Sequence, residues 1–72
     1  MEWKKLDKKS LKYLRQFNER QYLFYSKEDD YYQVIEWMRV MKRWVAIGRS
    51  YDNEDMLERF DLYCAIDQPA KE

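Results

Sequence analysis

Between Tyr31 and Ile47 the chain reads YYQVIEWMRVMKRWVAI, where polar side chains stand only at Gln33, Glu36, Arg39, Lys42 and Arg43. Placed at 100° per residue, Val34, Trp37, Met38, Val40, Met41, Trp44, Val45 and Ile47 spread over roughly 160° of a helix, and Tyr31 widens that arc toward 200°. Glu36, Arg39, Lys42 and Arg43 fall on the remaining side. An apolar arc this wide predicts a central helix that is covered from two directions. Ser26, three residues before Asp29, resembles a capping box, and Glu28, Asp29 and Asp30 suit the positive end of a helix dipole. Gly48 can take the left-handed conformation just past a helix end. The predicted central helix is therefore 27–47.

Two further helices are predicted on either side. In residues 6–25, Leu6, Leu11, Leu14, Phe17 and Phe24 lie on one side of a helical wheel. Lys5, Lys8, Lys12 and Arg15 form the opposite stripe. Asp7 or Ser10 supplies the N-cap. In residues 53–67, capped by Asp52 or Asn53, the residues Met56, Leu57, Phe60, Tyr63 and Cys64 share one face. Glu54, Glu58 and Asp61 line the other, and Pro69 stops the element by Gln68. The fold class expected is all-α: one compact three-helix domain over 1–72. A small α+β fold is the alternative. The adjacent aromatics of QYLFY suit a strand near 21–26, and Phe60, Leu62, Cys64 and Ile66 alternate as a strand would over 60–66.

Composition narrows the function classes. A chain of 72 residues makes one domain, and it buries only about 60% of the surface that its unfolded form exposes. Cys64 is the single cysteine, so no disulfide forms within the chain, and without histidine there is no Cys/His set for zinc. An aromatic core, self-association or both must compensate. The 14 basic and 14 acidic residues cancel, which removes any global attraction to nucleic acid or to anionic lipid. No apolar run reaches 18 residues, so no transmembrane helix is expected. The N-terminus lacks the apolar segment of a signal peptide, and one unpaired cysteine fits a reducing, cytoplasmic setting.

Candidate chemistry is sparse. Without an imidazole there is no triad or histidine acid–base pair, and Cys64 on an apolar face behaves as a small hydrophobe. No catalytic residue, metal, cofactor or small-molecule substrate is expected. Trp37, Met41 and Trp44, with Met38 beside them, recur at helical spacing. They read either as a core stripe or as an interface for a second copy or another protein. Charge is segregated: Lys5, Lys8, Lys12 and Arg15 make a basic patch, and Glu54, Glu58 and Asp61 an acidic one. The first invites contact with phosphates, the second mimicry of them, and each is also what a solvated helix face looks like. In composition alone, and at no particular residues, the chain resembles the small accessory proteins of phages and mobile elements; a modulator or inhibitor of a host protein would fit a protein-binding module of this kind. The expected function is thus a non-enzymatic protein-interaction module, with a homodimer as its simplest partner. A nucleic-acid-related role is the alternative.

Overall fold

The computed structural model describes residues 2–66, and it is built on a sheet. Six antiparallel strands run β1 (Lys4–Lys5), β2 (Gln21–Ser26), β3 (Tyr31–Met38), β4 (Arg43–Ala46), β5 (Arg49–Tyr51) and β6 (Leu62–Ala65). Their order across the sheet is β1-β6-β2-β3-β4-β5. Helix α1 (Lys8–Leu14) lies between β1 and β2 in the chain, and α2 (Asn53–Arg59) between β5 and β6.

This overturns the all-α expectation and the description of a small helical protein. The stretch assigned to the central helix, 27–47, is the hairpin β3–β4 with its flanking turns. Its side chains alternate: Ile35, Trp37, Trp44 and Ala46 are buried, while Val34, Glu36, Met38 and Val45 face away. The physical reason lies in composition. Tyr, Val, Ile and Trp fill a pleated surface better than they fill a helix, where β-branched side chains lose rotamer freedom. An apolar arc approaching 200° on a helical wheel also describes a strand with apolar residues on both faces. The expected helix 6–25 shortens to α1 and gives way to β2. The expected helix 53–67 shortens to α2 and gives way to β6, and its last residue lies outside the described residues, as does Pro69. The two segments held as the alternative are strands, and they pair with each other: Leu23 lies opposite Cys64 and Phe24 opposite Tyr63.

Of the local signals read for helices, two cap helices and two act between strands. Asp7 caps α1 in a capping box with Ser10, and Asp52 caps α2 in one with Asp55. The Ser26–Asp29 pair makes its hydrogen bond, Asp29 N–H to Ser26 Oγ at 3.4 Å, inside the β2–β3 turn. Gly48 has φ +75°, between β4 and β5 rather than after a helix. Asp30 and Lys42 also take left-handed φ, +48° and +54°, where the chain reverses into β3 and into β4.

The core lies between the helices and one face of the sheet. Leu11 and Leu14 from α1 and Met56 from α2 pack on Tyr22, Phe24, Ile35 and Trp44. Phe24 is the hub, with ring centroids 5.8 Å from Trp44 and 5.7 Å from Phe60. Each large ring removes about 150–250 Å² from water, which is how so short a chain builds a core. Trp44 is fully enclosed, and its Nε1–H donates to Asn53 Oδ1 at 2.9 Å, which satisfies the one polar atom taken inside.

Candidate functional site

Both helices sit on one face, and among the described residues no helix lies over the other face of the sheet. Strand register identifies its residues. Tyr25 lies opposite Tyr32, Leu23 opposite Val34, and Glu36 opposite Val45. On the far side of β2, Leu62 lies opposite Tyr25. Tyr32 is 54% exposed and Val34 43%, values at odds with a covered sheet. Leu23, Tyr25, Val45 and Leu62 are half-buried among them. Leu23 of β2, Val34 of β3 and Val45 of β4 form an apolar centre three strands wide, with Glu36 at one end.

An aromatic cluster closes one end of this face. Tyr25 and Tyr32 are a cross-strand pair with ring centroids 4.6 Å apart. Trp3 lies on both, at 6.0 Å from Tyr25 and 5.9 Å from Tyr32. The Tyr25 hydroxyl donates to Asp30 Oδ1 at 2.9 Å. Because that bond requires the phenolic proton, it raises the Tyr25 pKa above the ordinary 10.0, and desolvation adds to the effect. Glu28, Asp29 and Asp30 thus border the aromatic end, and carboxylates there repel phosphate.

The residues expected to form an interface, Trp37, Met41, Trp44 and Met38, do not share one surface. Trp37 and Trp44 form a cross-strand pair inside the core, centroids 5.2 Å apart, and are 8% and 0% exposed. They point to the helices because the strand period of two, not the helical 3.6, sets their direction. Met38 is half-buried opposite Arg43 on the uncovered face, and Met41 is exposed in the β3–β4 turn. The surplus of apolar surface does lie in this stretch, on other residues. Of the eight exposed large hydrophobic residues described, Tyr31, Tyr32, Val34, Val40, Met41 and Ile47 fall within it.

The acidic trio is divided. Glu54 and Glu58 are exposed on α2, but Asp61 lies beyond that helix, where its carboxylate accepts from Lys27 N–H at 2.7 Å. The basic patch is partly assembled. Lys8 and Lys12 on α1, with the C-cap Arg15, border a cleft of about 320 Å³ whose far wall includes Glu54 and Leu57 of α2. Lys5 stands apart in β1, opposite Leu62. Beside the C-terminal end of α1, Tyr13, Phe17, Tyr22 and Tyr63 line a second groove of about 600 Å³, with the Arg20 guanidinium 5.3 Å over the Phe17 ring. Burial raises the Tyr22 phenol above its ordinary pKa.

Cys64 is buried in β6. Among the described residues no cluster of His, Cys, Asp and Glu could hold a metal ion, and no helix is long and apolar enough to cross a membrane. Sequence reasoning missed Trp3, Tyr32 and Val34 as surface residues. The signal was present in the Tyr31–Met38 alternation, which leaves every second apolar residue without cover once the helices are assigned to one side. No protein-family model, no curated protein and no solved structure matches the chain.

Proposed function

We propose that the chain is a non-enzymatic protein-interaction module whose contact surface is the uncovered face of its sheet, and that the protein it meets there is a second copy of itself. The single observation that carries this is the exposure of Val34 in the apolar centre and of Tyr32 at the aromatic end of a face that no described helix covers. A sheet with one apolar face open to water is stabilised by packing that face on another layer about 10 Å away. Sheet edges are the other common route to association, and here they are blunted. The outer strands β1 and β5 have two and three residues, and they carry Lys4, Lys5 and Arg49.

Size is consistent with a copy of the same face. At about 3.3 Å per residue and about 4.8 Å between strands, the sheet spans roughly 400 Å² in projection. Side-chain relief enlarges this toward the roughly 800 Å² that each partner contributes to a standard interface. The chain as a whole is neutral, so two copies approach without net repulsion. A module of this kind, with one buried thiol, suits a reducing compartment such as the cytoplasm, where the same face could engage and modulate a host protein.

Sedimentation equilibrium across the micromolar range tests the reading. The wild type is expected to dimerise, and Val34→Lys to be monomeric with its far-ultraviolet circular dichroism unchanged. A wild type that stays monomeric up to about 1 mM, where association would be worth no more than about 4 kcal/mol, overturns it.

A further inference from the structure

On the helix-covered side, at the end of the sheet formed by the β3–β4 turn, three cations converge. Arg15, Arg39 and Lys42 line one concavity of about 370 Å³ together with Trp37 and Asn53. Among the described residues no carboxylate lines it, in contrast to the neighbouring cleft that Glu54 closes. The cations are positioned rather than loosely placed. The Arg15 guanidinium sits 5.8 Å from the Trp37 ring centroid. Arg39 Nη2 donates to the Gln16 carbonyl at 3.2 Å, and its backbone N–H donates to Asn18 Oδ1 at 2.8 Å. Lys42 borders the concavity from that turn, where its backbone has φ +54°. Asn53 accepts the Trp44 indole N–H through Oδ1, which leaves its amide nitrogen as the donor end.

Three like charges brought to one concavity repel one another, and a bound anion reverses the sign of that interaction. Two guanidinium forks and an ammonium match a group with several anionic oxygens at tetrahedral directions. We propose that Arg15, Arg39 and Lys42 form a phosphate-binding site, separate from the uncovered sheet face and independent of any dimer built on it. The ligand is a phosphate group, either on a small molecule or within a nucleic-acid strand.

The test is a nitrogen-15 NMR titration of the full chain at constant ionic strength, with inorganic phosphate, pyrophosphate and a 12-nucleotide single-stranded DNA as separate probes. Saturable shifts are expected at the Trp37 indole N–H and at the backbone amides of Arg15, Arg39 and Lys42. Lys42→Gly removes one cation at a position whose φ suits glycine, so the fold is kept while affinity falls about tenfold. Saturation by phosphate and pyrophosphate identifies a small phosphorylated ligand, and saturation by the oligonucleotide alone identifies a strand. Either result upholds the phosphate site. Shifts that chloride or acetate reproduces, or a titration in which no phosphate-bearing probe saturates, overturn it.

Discussion

Trp44 joins the hairpin, the core and α2 through one side chain. It is fully buried, packs edge-on against Phe24, pairs with Trp37 across the hairpin, and donates its only polar hydrogen to Asn53. Trp44→Phe keeps most of the ring contact but leaves Asn53 without that donor. A loss of about 1–3 kcal/mol in urea unfolding is expected from the stranded acceptor and the missing volume. Trp44→Ala should cost about 3–5 kcal/mol, enough to unfold a domain this small. Asp7 offers a test by pH. Its carboxylate accepts the Ser10 backbone N–H, with further help from the Ser10 hydroxyl and from Lys5, and its pKa is lowered from 3.8. A depressed carboxylate stabilises the fold above its unfolded pKa, and that contribution is lost as pH falls through the lower folded value. Acid unfolding should therefore be shallower below about pH 4 in Asp7→Asn than in the wild type, measured by circular dichroism. Equal acid limbs would show that the cap does not couple α1 to global stability.

At the scale of elements, the N-caps were legible in the sequence as pairs of candidates, Asp7 or Ser10 and Asp52 or Asn53, and the elements between them were not. The one capping box read from the sequence, Ser26 with Asp29, belongs to a turn between strands. Asp7 and Asp52 start helices of seven residues each, because a short polar side chain satisfying an N–H near the helix start is a local event. Asp52→Ala is accordingly expected to cost about 1 kcal/mol in equilibrium unfolding, and an unchanged midpoint would remove Asp52 as an anchor of α2. What ends those helices is not local. Residues 21–26 become β2 because β3 and β6 flank them and take up their backbone hydrogen bonds, and neither partner is adjacent in a way that a wheel projection can register. The same holds for the candidate site. Trp37 and Trp44 were recognisable as important apolar anchors, but the direction in which they point depends on the period, and a period of two turns them inward. Arg15 could be picked out as basic from its spacing with Lys8 and Lys12. Its neighbours Arg39 and Lys42 come from a turn more than 20 residues away, so the three-cation concavity existed only after folding.

For the whole molecule the decisive property is asymmetry between the two sides of one sheet. One side is closed by α1 and α2 over an aromatic core, and the other presents Trp3, Tyr32 and Val34 to water. If a second copy covers that side, the midpoint of thermal unfolding must rise with protein concentration, because only the folded chain has a face to pair. The interface centre is apolar, so added salt should leave the dimer intact, in contrast to the screening expected at the cationic concavity on the helix side. The most direct measurement is an intermolecular nuclear Overhauser experiment on a mixture of isotope-labelled and unlabelled chains. Contacts between copies are expected at Leu23, Tyr32, Val34 and Val45. Contacts confined to α1 and α2, or none at concentrations where the protein is associated, would contradict the assignment of the uncovered sheet face as the surface through which this protein meets its partner.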